Sequence, residues 1–204
     1  TRLNQGISFT YRVRIPEGNT KYEDMIYGPI EVDNKEIDDF IVIRSDGSPT
    51  YNFTAVIDDH YMDISHVIRG EDHVSNTPKQ IILYEALGFT IPIFAHLPMI
   101  LGSDGKRLSK RHGATGVQIY RDEGYQPDAL LNYLALLGWN PGTEEEILTL
   151  EDLVKKFDLS QVQKKGAVFD QKKLNWISGQ HLLMQDNRDI LSQARAINPE
   201  WGMT

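Results

Sequence analysis

Cysteine is missing from this 204-residue chain. That excludes disulfide staples and thiolate metal sites, and it suits a reducing compartment. No apolar run approaches the roughly 18 to 20 residues that a spanning helix needs, so no membrane partner is expected. The N-terminus lacks the pattern of a secretory signal. It opens on Thr1 and is strand-like from Thr10 onward, as expected of a piece cut from a longer protein. Internal repeats and low-complexity linkers are also absent. An excess of positive charge is lacking too: the formal net charge of −8 argues against a protein that coats nucleic acid without specificity.

What is present is ordinary globular composition, 40% hydrophobic and 25% charged, enough for one large or two small domains. The charge is unevenly spread. From Lys21 to Asp72 there are 4 basic and 13 acidic residues; from Lys155 to Lys173 there are 6 basic and 2 acidic ones. A polyanion would therefore meet the second half of the chain.

Residues 9–15 alternate Phe9, Tyr11, Val13 and Ile15 with polar residues, the period of a half-buried strand. Pro16-Glu17-Gly18-Asn19 is turn chemistry, and short strands are expected at Ile30–Asp33 and Phe40–Arg44. A helix is expected over Ala55–Tyr61. Its Asp58, Asp59 and His60 are adjacent and point apart, so capping and surface roles outweigh metal ligation, and no metal is predicted. A strand at Ile64–Arg69 stops at Gly70, and the polar cluster Glu71-Asp72-His73 follows. Thr77 as N-cap and Pro78 as first residue start a helix that Gly88 ends. The next strand, Phe94–Leu101, leads into a glycine loop. This rhythm predicts an α/β fold with a parallel sheet whose ligands lie at the carboxyl ends of its strands. Arg69–Asp72 and the glycine loop both follow such ends. From Tyr120 the pattern is helical. One helix runs from Pro127 to Gly138 with a stripe of Leu130, Leu131, Leu134 and Leu137 taken as core. A second starts at Thr149, and a third is capped by Asp170 and ends at Gly179.

The glycine loop carries the densest chemistry. In Gly102-Ser103-Asp104-Gly105-Lys106-Arg107-Leu108-Ser109-Lys110-Arg111-His112-Gly113, four cations fall within six residues and glycines let the backbone approach a polyanion. Taken alone, such a run is more often a solvated turn. It does not stand alone. Arg107-Leu108-Ser109-Lys110-Arg111 resembles the KMSKS signature of class I aminoacyl-tRNA synthetases in the form found in glutamyl enzymes. Pro49-Thr50-Tyr51-Asn52-Phe53 and Val67-Ile68-Arg69-Gly70-Glu71-Asp72-His73 resemble the same family, and the latter resembles the glutamyl rather than the glutaminyl enzymes. Val168–Trp176 is similar to its helical stem-contact region.

The resemblance implies the C-terminal part of a Rossmann-type catalytic domain. Residues 1–45 would be the end of an acceptor-stem-binding insertion, residues 46–118 the second half of the nucleotide fold, and residues 119–204 a helical stem-contact region. It implies ATP-dependent ligation of L-glutamate to tRNA(Glu) through a glutamyl-adenylate, in the cytoplasm, by a monomeric parent enzyme using ATP with Mg2+. Lys110 would be the catalytic group. Asp72, Arg107, Leu108, Ser109, Lys110 and Arg111 would bind ATP, and Tyr51 and Arg69 would bind glutamate. Arg107 stands where the signature's first lysine stands, exchanging a point charge for a planar fork. Lys164, Lys165, Lys172 and Lys173 would contact tRNA, although a solvated helix face explains them nearly as well. The family's His-x-Gly-His signature does not occur in these 204 residues. The chain is accordingly expected to lack that half of the site and the anticodon-binding domains, and to be inactive alone. Two other readings stay open: a relative that glutamylates a modified base of tRNA(Asp), and an inactive RNA- or protein-binding module.

Overall fold

A computed structural model describes residues 8–109 and 116–197, without the side chains of the last two. The chain divides into two compact units, Thr1–Leu97 and Pro98–Thr204.

The first unit is an α/β layer. Its strands are β1 (Tyr11–Arg12), β2 (Asn19–Asp24), β3 (Gly28–Asp33), β4 (Ile41–Ile43), β5 (His66–Gly70) and β6 (Ile93–Leu97), with helices α1 (Tyr51–Tyr61) and α2 (Thr77–Leu87). Four strands form one sheet in the order β3-β2-β6-β5, while β1 and β4 pair separately. β5 and β6 are parallel, as are β2 and β6; β2 and β3 form an antiparallel hairpin. The expected parallel sheet is therefore mixed. Val42, Val56, Ile81, Leu83, Tyr84 and Phe94 form the core.

Several local expectations are corrected here. β2 lies where only a turn was expected. Its inward positions are Thr20, Tyr22 and Asp24, so its alternation is polar and hides from a hydrophobicity pattern. The run 9–15 contributes only two strand residues, with Phe9 and Tyr11 exposed. α1 starts four residues earlier than expected, which puts Tyr51 in its first turn. Thr77 is not the cap of α2 but its first residue, after a 3-10 turn over Glu71–Asn76. Gly88 ends α2 in the left-handed conformation (φ 68°), a geometry that favours glycine. The strand expected to reach Leu101 ends at Leu97, ahead of Pro98.

The second unit is helical: α3 (Val117–Asp122), α4 (Pro127–Leu136), α5 (Leu150–Lys156), α6 (Gln171–Leu183) and α7 (Asn187–Ile197). Thr149 and Asp152 close a reciprocal capping box on α5, and Asp170 accepts the backbone N–H groups of Lys172 and Lys173 at the start of α6. Ala129, Leu130, Tyr133, Leu174 and Ile177 form the core. Of the expected leucine stripe, Leu130 is buried while Leu131 and Leu134 are exposed, because α4 turns Ala129, Asn132 and Tyr133 inward instead. α6 does not end at Gly179 but runs through it to Leu183, carrying His181 into the interior.

Candidate functional site

In the first unit the candidate residues gather at the carboxyl end of β5. Tyr51 stands exposed in the first turn of α1, its hydroxyl 3.4 Å from Nδ1 of His73 and its ring tilted over that imidazole. Asn76 lies against the same nitrogen at 3.2 Å. Asp72 is exposed in the first turn of the 3-10 helix. The Tyr27 hydroxyl donates to Glu71, which tethers the β2–β3 turn to this helix and raises the phenol to about 12 through burial and that bond.

Arg69, at the end of β5, is held on several sides. Its Nε donates to Nε2 of His96 at 3.1 Å and its Nη2 to Oγ1 of Thr77 at 2.8 Å, while the guanidinium lies 5.6 Å from the centre of the Phe94 ring. The side edge of the fork is thereby filled. Among the described residues its end edge, with two parallel N–H groups, is left for a bidentate carboxylate. Behind Arg69 lie two groups of full burial, His96 and Asp24, joined at 2.6 Å. Burial alone would raise the Asp24 carboxyl. The N–H groups of Tyr27 and Ile26 and the His96 ring outweigh it and hold the carboxyl below its ordinary value. Burial pulls His96 down, against the pull of Asp24, so the ring is neutral near pH 7. His73, Thr77, His96 and Asp24 were not singled out as site residues from the sequence. The signal for Asp24 and His96 was a polar residue at an inward position of a strand.

In the second unit the basic loop begins as a tight hairpin. Leu101 bridges Arg107, Gly102 donates to the carbonyl of Lys106 at 2.7 Å, and Leu108 donates to that of Ile100 at 2.8 Å. Asp104 accepts from the backbone of Lys106, and Gly105 supplies the positive φ of 74° that the turn needs. Arg107 is exposed; Leu108 and Ser109 are half-buried. Lys110 and Arg111 lie outside the described residues.

The foot of this hairpin is stitched to the approach of α6. Leu101 donates to Ala167 at 2.8 Å and accepts from Phe169 at 2.8 Å. Gly166 permits the approach, since a Cβ there would stand 2.6 Å from the Met99 carbonyl. A cleft of about 860 Å³ lies alongside, lined by Gly102, Ser103, Leu108, Val168, Phe169, Asp170, Gln171 and Lys172. The hairpin and the stem-contact-like segment thus share one wall.

Lys173 pairs with Glu146 at 2.5 Å, Lys156 with Glu145 at 2.5 Å and Lys155 with Glu151 at 3.7 Å. Lys164, Lys165 and Lys172 are exposed. In the first unit Asp59 accepts from the Tyr84 hydroxyl at 2.9 Å and His60 stacks on Phe89, so both have structural partners. Among the described residues no group of three His, Cys, Asp or Glu side chains could hold a metal, and no helix is long and apolar enough to cross a membrane.

The sequence and the fold have known counterparts. A glutamate–tRNA ligase of Moorella thermoacetica is 54% identical over 195 residues, which is 95% of this chain and 40% of that protein. One from Trichlorobacter lovleyi is 58% identical over 172 residues, 84% of this chain and 37% of that protein. Among solved structures, a glutamate tRNA ligase from Elizabethkingia meningosepticum in complex with its amino acid superposes with a TM-score of 0.88 at 36% identity. The match covers 96% of this chain and 43% of that one. The chain spans about two fifths of the length of such relatives. The supported region is the N-terminal, catalytic part of the enzyme, and the narrower expectation of that domain's C-terminal part goes beyond the match. The family model of class I tRNA synthetases (E and Q), catalytic domain, matches residues 1–176, and with the α/β layer and the organised arginine already described the chain belongs to that family.

Proposed function

We propose that the longer polypeptide to which this chain corresponds ligates L-glutamate to tRNA(Glu) in the cytoplasm, through a glutamyl-adenylate formed from ATP. The observation that carries this reading is Arg69: its side edge is saturated by His96 and Thr77, and its end edge is shaped for a carboxylate. Glutamate offers two carboxylates. Arg69 takes one, and the Tyr51 hydroxyl adds a further contact. Family membership and the glutamate ligases among the relatives support the choice of amino acid.

Activation joins two anions, the amino-acid carboxylate and the α-phosphate of ATP, and expels pyrophosphate. The protein's task is therefore to position them and to stabilise charge gathering on phosphate oxygens. ATP enters with Mg2+ as its counter-ion. In this reading Lys110 stabilises that charge, Arg107, Leu108, Ser109 and Arg111 complete the phosphate contacts, and Asp72 meets the nucleoside. The chain supplies the later part of the catalytic domain: residues 1–45 close an acceptor-stem insertion, residues 46–118 carry the second half of the nucleotide fold and residues 119–204 contact the tRNA stem. Lys164, Lys165, Lys172 and Lys173 meet the RNA backbone. The enzyme acts as a monomer.

The test is charging of tRNA(Glu) with radiolabelled glutamate by this chain joined to the remaining portions of a synthetase. Activity that appears on joining, and is lost with Arg69→Gln or Lys110→Ala, is the expected result. Charging indifferent to both substitutions rejects the reading.

A further inference from the structure

The groups behind Arg69 form a continuous line across the sheet. Asp24 ends β2, His96 lies on β6 and Arg69 on β5, three neighbouring strands, and Arg69 and His96 are direct cross-strand partners. The chemistry along this line allows a single arrangement of protons. A carboxylate only accepts hydrogen bonds, so the His96 nitrogen 2.6 Å from Asp24, Nδ1, carries the proton. A neutral imidazole has one proton, so Nε2 is bare. That bare nitrogen lies 3.1 Å from Nε of Arg69, which can only donate. Oγ1 of Thr77, 3.0 Å from the same Nε2, takes the second N–H of the fork. Asp24 is itself fixed, because its other oxygen accepts from the backbone of Ile26 at 3.0 Å, Tyr27 at 2.9 Å and His96 at 3.4 Å.

We propose that Asp24 and His96 are positioning residues for the substrate-binding arginine. Asp24 selects the Nδ1–H form of His96, and the exposed Nε2 lone pair then holds the side edge of Arg69 so that its end edge faces a carboxylate ligand. This rests on the reading of Arg69 as the glutamate-binding residue. It assigns part of the affinity for glutamate to a carboxylate that the amino acid never touches.

Asp24→Asn is a nearly isosteric reversal of this device. The amide oxygen keeps these backbone N–H groups, and the amide nitrogen, now a donor, faces Nδ1. His96 must then carry its proton on Nε2, where it meets the Nε–H of Arg69 head on. The orientation of the fork is lost while the fold around it keeps its volume.

The test uses this chain, with 15N NMR of the histidine rings and of Arg69 Nε near neutral pH, and titration with L-glutamate. In the wild-type chain His96 is expected as the Nδ1–H tautomer. Asp24→Asn is expected to invert it and to weaken glutamate binding roughly tenfold, the scale of a buried donor left without its acceptor. Arg69→Gln should abolish binding. A wild-type His96 protonated at Nε2 overturns the proposal without reference to any variant. So does an inverted tautomer in Asp24→Asn with glutamate affinity unchanged. If Arg69→Gln leaves glutamate binding as it was, the glutamate assignment of Arg69 falls, and the His96 and Arg69 signals still decide whether the line of protons exists. His96→Gln, whose amide oxygen can accept from Arg69 without help from Asp24, should retain more affinity than His96→Ala; equal loss in the two also counts against the proposal.

Discussion

If Arg69 binds glutamate as proposed, a cation of fixed shape is what the end of β5 requires. Its planar fork offers donors on two edges, and the protein uses one edge to hold the group while the other stays open to a ligand. A lysine keeps the charge but has no second edge, and its ammonium would be drawn toward the His96 lone pair. Arg69→Lys is therefore expected to bind glutamate weakly, by about one to two orders of magnitude, in line with losing a charge-assisted bidentate pair. Isothermal titration with glutamate checks this, and affinity within twofold of the wild type would contradict it. Position 69 stands out in the sequence through its motif alone. The partners that give it shape do not, because Asp24 and His96 lie 72 positions apart and neither residue type announces burial.

At the scale of elements, the foot of the basic hairpin depends on an absent side chain. Gly166→Ala would set a Cβ 2.6 Å from the Met99 carbonyl and 3.1 Å from the Leu101 side chain. Backbone has to move, so a loss of about 1 to 3 kcal/mol is expected from overpacking. Urea denaturation of the second unit measures it, together with lost amide protection at Leu101 and Phe169. A neutral outcome would mean that the stitch between hairpin and α6 is looser than its geometry. Helix starts in this unit were legible: Pro127, Thr149 and Asp170 each stand where a helix begins, because capping chemistry is local. Helix faces and ends were less so. Gly179 is tolerated inside α6 because Leu174 and Ile177 anchor the helix on the core, and Leu131 and Leu134 are exposed because tertiary contacts choose the face. β2 escaped notice for the matching reason, since its inner face is built from Thr20, Tyr22 and Asp24.

For the whole molecule, a buried neutral imidazole in each unit, His96 and His181 among the described residues, sets a common acid limit. Burial lowers His96 against the pull of Asp24, and burial lowers His181, whose Nε2 meets Asn132 at 2.9 Å, against the pull of Asp128. Their ordinary value is 6.5. Below it the unfolded chain takes up protons that the folded chain refuses, so stability is full above that pH and falls as acid is added. Asp24, held below 3.8, extends the same trend into stronger acid, where its protonation removes the remaining contribution. Urea midpoints of both units should therefore be level above about pH 7 and decline steadily below about pH 6.5. His181→Gln should flatten the decline for the second unit only. Midpoints that stay level down to about pH 5 would refute the assignment of neutral buried rings.

The stitch at Leu101 also fixes an order of events during synthesis. Its partner Val168 lies 67 positions later, so the hairpin foot emerges from the ribosome long before the segment that completes it. At roughly 5 to 20 residues per second, that leaves about three to thirteen seconds in which the most cationic loop of the chain exists without its seat. The hairpin foot at Leu101 is then completed together with the approach to α6, and a nascent chain halted before Gly166 would carry Leu101 without the partners that seat it.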